Sequence, residues 1–334
     1  MAKRVTIADV ARAAGVSKGT VSRTLAGTYP VSEVTAKAVA EAVDELGYVA
    51  SVRARALATG KANAIAVVLS EPFDALFSDP TFALIMKGVF DAMSTTEYTP
   101  LLLQVQSEAE QKKALHLLSN QAVDAVIHLS PWKDEGLLDS LLVQDLPVVL
   151  CGQTRNDAYM RKFSAIYADD ILGGETAAKH LRSRGVHNPI VITGDADQPA
   201  AQDRVAGYKT VFESVLTDDR IVYCGWSEQD GVQAIHRFLK NGTPFDGVLA
   251  GSDRIARGAV TVLAAQGISV PDQVRVIGFD DHDIATQYSP QLTTIAQPMH
   301  KQGALAFAIA IEMVDGKQAR IEILPTELKI RQTT

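Results

Sequence analysis

Between Gly15 and Gly27 the chain reads G-V-S-K-G-T-V-S-R-T-L-A-G, with Val16, Val21 and Leu25 as its bulky apolar groups. Side chains this slim let a backbone come close to another surface, and Lys18 and Arg23 then carry the chemistry. A guanidinium presents a planar fork of donors, which suits a bidentate contact to guanine worth about 1–3 kcal/mol of discrimination. Ser17 and the upstream Thr6 offer hydroxyls to phosphate oxygens, and helix starts at those residues would add backbone amides. Gly19, Thr20 and Ser22 belong to the same candidate surface. The charge agrees: residues 1–60 hold eight Lys/Arg against five Asp/Glu, a net of +3, in a 334-residue chain of net charge -7. That asymmetry suits a polyanionic partner, and it equally describes a solvated basic tail.

Elements must hold these residues. Thr6 with Asp9 caps a helix predicted over residues 7–14, and Gly15 breaks it. Ser17 starts a second helix to about Leu25. Ser32 starts a third, with Val39, Val43 and Leu46 on one face, that stops at Gly47. Three short helices with a glycine-containing turn predict a helix-turn-helix domain over residues 1–48. A small helical cap on an enzyme-like remainder would have the same spacing. Residues 49–61 are Ala-rich and basic, a hinge segment that is either a linker or a helix formed only on binding. From residue 62 strand-sized apolar runs such as 64–69, 123–129 and 274–278 alternate with helical stretches. The fold class is therefore α/β, with two doubly wound parallel-sheet lobes behind a small all-α domain. Ligands in such sheets sit beyond the carboxyl ends of the strands.

The composition excludes several classes. Apolar residues make up 47% and charged residues 21%, and no apolar run approaches the roughly 20 residues of a membrane span. The basic N-terminus lacks the apolar stretch of a signal peptide, so a cytoplasmic protein is expected. Cys151 and Cys224 stand far apart with no C-x-x-C, which predicts two small buried hydrophobes. The seven histidines show no metal-ligand spacing, and H-E-x-x-H, Walker A and G-x-G-x-x-G patterns are absent. Neither catalysis, a metal nor a cofactor is expected. The run Asp280-Asp281-His282-Asp283 would suit a metal or acid–base chemistry, but a post-strand loop with one ligand-binding carboxylate explains it more simply.

The run T-I-A-D-V-A-R-A-A-G-V-S-K-G-T-V-S-R-T-L-A-G, then V-S and L-G-Y-V, over residues 6–49, resembles the DNA-binding domain of the lactose-repressor family of bacterial transcription regulators. D-R-V-A-G-Y (203–208), S-D-R-I-A-R-G-A (252–259), V-P-D-Q-V-R-V-I-G-F-D-D (270–281), L-T-T-I-A-Q-P (292–298) and L-P-T-E-L (324–328) match the family's core in order. The resemblance covers essentially the whole chain. It implies a sequence-specific regulator, a repressor of carbohydrate-use genes, binding pseudo-palindromic double-stranded operator DNA as a homodimer. It also implies a two-lobed core like that of periplasmic sugar-binding proteins, with a mono- or oligosaccharide effector between the lobes. No leucine heptad follows the last motif, which favours a dimer over a tetramer.

Mapped by motif, Ser17, Lys18, Gly19 and Arg23 take base-facing positions, and Leu57 is the hinge leucine that wedges into the minor groove. Arg53 and Arg55 supply charge to the hinge. The chain leaves the family's pattern at Ala26, where relatives often carry Asn, and at Ala50-Ser51-Val52-Arg53, where they commonly carry Pro-Asn-Arg-Ala. In the core the resemblance assigns Arg204, Asp280, Gln297 and, where relatives often carry Asn, Ser252 to polar contacts. It assigns Trp226 and Phe82 to ring stacking. Residues 70–82 are similar to a branch answering to plant-polysaccharide oligosaccharides such as cellobiose or maltose, which adds Phe77 and Asp79 to one wall. Other readings stay open: an Arg204–Asp280 salt bridge that only closes the cleft, a surface Trp226 and a core Phe82. So do a sugar-binding protein without DNA function and a regulator answering to a nucleoside or purine. The expected core, residues 62–334, divides into lobes of about 62–161 plus 292–321, and 162–291 plus 322–334.

Overall fold

The computed structural model describes residues 5–26, 30–48, 61–120, 122–133 and 135–334. The expected hinge residues Arg53, Arg55 and Leu57 lie outside the described residues. Three helices form the N-terminal unit: α1 (Ile7–Ala13), α2 (Lys18–Ala26) and α3 (Glu33–Leu46). Each boundary has a local cause. The Thr6 hydroxyl donates to Asp9 Oδ2 at 2.7 Å and its backbone amide donates to the same oxygen at 3.0 Å. Gly47, with φ near 60°, closes α3 in the left-handed conformation that glycine adopts at little cost. Ser32 Oγ accepts from the Thr35 amide at 3.3 Å. Val10, Val21 and Val39, one from each helix, meet in a core that excludes water from all three.

The remainder folds around two six-stranded sheets. The first uses β1 (Ala64–Leu69), β2 (Thr99–Gln104), β3 (Ala125–His128), β4 (Val148–Cys151), β5 (Ser164–Ala168) and β11 (Ile321–Leu324) in the order β11-β5-β4-β3-β1-β2, parallel throughout. The second uses β6 (Pro189–Thr193), β7 (Ile221–Tyr223), β8 (Gly247–Ala250), β9 (Arg275–Asp280), β10 (Thr293–Ala296) and β12 (Glu327–Lys329) in the order β12-β10-β9-β8-β6-β7. Only β12 runs antiparallel, against β10. The central strands are buried along their whole length, as parallel strands covered by helices on both faces must be, which is why they read as continuous apolar runs. Among the described residues no helix is long and apolar enough to cross a membrane.

Three crossings join the sheets, after β5, β10 and β11. Strand pairing puts 164–168 in the first sheet and 293–296 in the second. Each crossing thus lies a few residues after the lobe boundary read from the sequence, because β5 and β10 complete the sheet they leave. Once the chain has crossed after β5, helix Asp170–Ser183 packs on helix Pro199–Phe212, and these two helices supply the charged centre of the cleft. The pair approaches closely at Gly207, where a Cβ would lie 2.2 Å from the Ile171 carbonyl oxygen. Gly207→Ala is expected to lower unfolding stability by about 1–3 kcal/mol through overpacking. Chemical denaturation checks it, and an unmoved midpoint would contradict this backbone contact.

Candidate functional site

The N-terminal unit turns one side of α2 inward and the rest outward. Val21 is fully buried, whereas Ser17, Lys18, Gly19 and Arg23 are exposed and Thr20 and Ser22 are half-buried. Ser17 Oγ accepts from the Thr20 amide at 3.1 Å, so the hydroxyl that was expected to meet phosphate also starts the helix. The exposed Thr6 hydroxyl is likewise engaged by Asp9. Arg23 folds back along α2, its Nε donating to the Gly19 carbonyl at 3.1 Å. That bond is local and solvent-exposed, and it is lost at little cost when the guanidinium swings outward. Gly15–Gly19 also spells G-x-S-x-G, the pattern of hydrolase nucleophile elbows. Such an elbow needs a strand before the serine, and Ser17 lies between two helices.

A cleft of about 680 Å³ opens at the carboxyl ends of the strands of both sheets. At its centre is Arg204, with a side chain only 6% exposed. Its Nε donates to Asp170 Oδ1 at 2.8 Å, Nη1 donates to the Gly251 carbonyl, and Asp280 Oδ1 lies 3.5 Å from Nη1. The guanidinium carbon sits 3.9 Å from the Phe279 ring centroid and 5.2 Å from that of Trp226. Asp280 ends β9 with φ of 109°, a conformation non-glycine residues rarely adopt, and accepts from Gln297 Nε2 at 2.6 Å. Strain of that kind concentrates at sites where a side chain must be aimed. The salt bridge and the cleft position are therefore both present at Arg204 and Asp280.

Trp226 is held from three sides. Its Nε1 donates to Gln198 Oε1 at 2.6 Å and Ser252 Oγ donates to its carbonyl at 3.3 Å. The indole also lies so close over Gly194 that a Cβ there would come within 2.1 Å of the ring. Phe82 lines the cleft while packing on the core of the first lobe, so the two readings of it meet in one position. Asp79 lines the cleft too. It starts helix Pro80–Met93 by accepting from the Thr81 amide at 3.0 Å and pairs with Arg254 of the second lobe.

Six of the eight expected effector residues thus share one wall system: Asp79, Phe82, Arg204, Trp226, Asp280 and Gln297. Two do not line it. Phe77 is 75% exposed on helix Phe73–Ser78. Ser252 is buried, and its Oγ accepts from the Ile255 amide at 3.2 Å as the start of helix Asp253–Ala265. A hydroxyl that already accepts one bond and donates another has little left for a ligand. Sequence reasoning missed Asp170, Gln153 and Trp132, which line the same cleft. Asp170 belongs to none of the motifs, and nothing in the sequence ties it to Arg204.

The electrostatics follow from burial. Desolvation pushes the Asp170 carboxyl up to about 6, with Arg204 holding it back from going further. Desolvation also raises Asp280, opposed by His282 and Arg204. Burial alone would lower Arg204, but Asp170 and Asp280 outweigh it and the guanidinium ends above its usual value. A raised carboxyl favours the fold most when protonated. The Asp170 share of stability is therefore full below about pH 4 and is lost as pH rises through about 6. Melting scans against pH should show the stability difference between Asp170→Asn and the native chain moving in the variant's favour from about pH 4 to 7. A difference independent of pH would contradict the burial of this group.

Residues 6–51 match the model of bacterial regulatory proteins of the lacI family, and residues 178–334 match that of a periplasmic binding protein-like domain. The chain is 32% identical to the HTH-type transcriptional regulator CelR of Thermobifida fusca, over 99% of this chain and 98% of that protein. It is 30% identical to catabolite control protein A of Priestia megaterium, over 99% of each. Among solved structures it is similar to a transcriptional regulator CelR–cellobiose complex, with a TM-score of 0.77 and 30% identity over 99% of this chain and 100% of that one. It shares its fold with the lac repressor dimer bound to operator and the anti-inducer ONPF, with a TM-score of 0.82 and 23% identity over 99% of each chain. A helical reading head and a two-sheet core aligned end to end with such proteins settle the matter: the chain belongs to the lacI family of bacterial regulatory proteins and is a DNA-binding transcriptional regulator.

Proposed function

We propose that this regulator represses carbohydrate-use genes and is switched by a small sugar or oligosaccharide bound between the lobes. The observation that carries the reading is the Arg204 centre: a buried guanidinium, two carboxylates and an amide converging in the cleft beside the flat face of Trp226. Such a set matches adjacent sugar hydroxyls, and an indole face matches the C–H surface of a pyranose. The cellobiose bound in the similar CelR complex agrees with that chemistry. Arg204, Asp280 and Gln297 hold the hydroxyls, Trp226 and Phe82 flank the ring, and Asp79 closes the first-lobe wall. No step of bond-making is required of any of these groups, in line with a binding protein rather than an enzyme.

The working parts are a reading head over residues 1–48, a hinge over 49–61 and a core over 62–334. Lys18 and Arg23 read base edges while Thr6, Ser17, Gly19, Thr20 and Ser22 line the approach to the backbone. Two copies form a homodimer whose heads meet half-sites about one turn apart in operator DNA, with Arg53, Arg55 and Leu57 at the hinge. The protein works in the cytoplasm, where that DNA is. The switch is a population shift between two lobe angles. The contacts that bridge the lobes support it: Asp79 pairs with Arg254, and Thr81 Oγ1 meets His282 Nε2 at 3.3 Å. A ligand that prefers one angle changes the hinge spacing and with it the operator affinity.

Two measurements test the reading. Arg23→Ala should weaken operator binding by about 1–3 kcal/mol in an anisotropy titration, and an unchanged affinity would remove α2 from the DNA. Asp280→Asn should abolish the response of operator affinity to cellobiose or maltose while leaving ligand-free binding intact. In thermal scans a true effector at 100 times its Kd stabilises the native chain by about 2.7 kcal/mol. Stabilisation by purines or nucleosides in place of sugars would sink the carbohydrate reading.

A further inference from the structure

The chain has two tryptophans, and both line the same cleft. Trp226 comes from the second lobe, after β7; Trp132 comes from the first, in the short 3-10 turn Pro131–Lys133 after β3. We propose that Trp132 is a second stacking surface, so that the effector is a saccharide of at least two rings. One ring is held at Arg204, Asp280 and Trp226, and the next lies over Trp132. The inference rests on the reading of the cleft as a sugar site and adds its length and the residue that measures it.

Strand order sets the separation. Asp170, bonded to Arg204, follows β5, whereas Trp132 follows β3, with β4 between them. Two inter-strand spacings amount to about 10 Å across the floor of the first lobe. Trp226 is much nearer the charged centre, its ring centroid 5.2 Å from the Arg204 guanidinium carbon. A single pyranose seated on Trp226 does not span that floor, and a second ring linked to it does.

Polar groups follow the same path. Gln153, after β4, lines the cleft between the two positions and donates from Nε2 to Asp170 Oδ2 at 3.3 Å. Ser130, two residues before Trp132, also lines the cleft. It is 2% exposed, and its Oγ has no hydrogen-bond partner among the described residues. A buried hydroxyl left unpaired in a protein calls for an explanation, and this one stands in the wall beside the second position. The volume of about 680 Å³ has room for such a ligand.

Isothermal titration of the full chain with glucose, cellobiose and maltose tests the inference. At least one disaccharide should bind about tenfold or more tightly than glucose. Trp132→Ala should erase that advantage and leave glucose affinity unchanged. Trp132→Phe keeps a flat apolar face and should retain most of the advantage, which separates stacking from misfolding, and melting midpoints check that both variants fold. Equal weakening of glucose and disaccharide in Trp132→Ala would put both tryptophans on one ring and overturn the inference. So would an advantage that survives the alanine, or native glucose affinity equal to that of both disaccharides. If none of the three sugars binds, the sugar reading itself falls, an outcome distinct from the loss of the length preference alone.

Discussion

A guanidinium taken out of water in the middle of a cleft constrains everything around it. Burying a charge costs several kcal/mol unless its partners are placed well, and Arg204 meets that demand with Asp170, Asp280 and the Gly251 carbonyl. These partners come from separate strand ends, β5, β9 and β8, so the ion group can exist only when both sheets are assembled. Asp170 stands just past the first crossing, and Gln297, which donates to Asp280, stands just past the second. Two of the three crossings are thereby hydrogen-bonded to one charged centre. A change in lobe angle must bend these crossings, and it must do so around groups that cannot be left unpaired. A polar ligand that engaged these groups would be coupled through them to the lobe angle.

The pairs that bridge the lobes away from this centre differ in worth. Arg155 of the first lobe pairs with Asp203 of the second, but the Arg155 side chain is 56% exposed, and exposed pairs contribute little. Asp79 and Arg254 are 17% and 15% exposed, and Asp79 also starts the Pro80–Met93 helix. The second pair therefore resists opening more than the first, and its loss would free a helix start as well as a charge. The lobes are thus joined by a buried charged centre near the crossings, by the half-buried Asp79–Arg254 pair and by the Thr81–His282 contact.

How much of this was legible in the sequence follows from how local each cause is. The head was readable because its limits are set within four residues: Thr6 with Asp9, Ser32 with Thr35, Gly15 and Gly47. Of its three buried valines, Val39 lies on the helix face read from the sequence, while Val10 and Val21 stand in helices too short for such a face to be read. The strands were readable as apolar runs, but which sheet β5 and β10 join was not, since pairing is non-local. At the site, Arg204, Asp280 and Gln297 were found through motifs, whereas Asp170 and Trp132 belonged to none. Residue type misled at Phe77, where an aromatic points outward. At Ser252 the Ser-Asp pair that opens a helix was itself a capping signal, and the cap consumes the hydroxyl.

The same locality explains why one chain can hold two chemistries. The head closes around a handful of buried side chains and spends the rest of α2 on an exposed, slim, basic surface. It needs no contribution from the sheets to present Lys18 and Arg23. The remaining 274 residues carry the acidic excess that turns the +3 of residues 1–60 into a chain of -7. An acidic core is repelled by a phosphate backbone, a bias that favours approach of DNA to the basic N-terminal end. A cleft remote from a phosphate backbone can therefore differ in charge and chemistry from the surface that meets it, because each is built by its own elements.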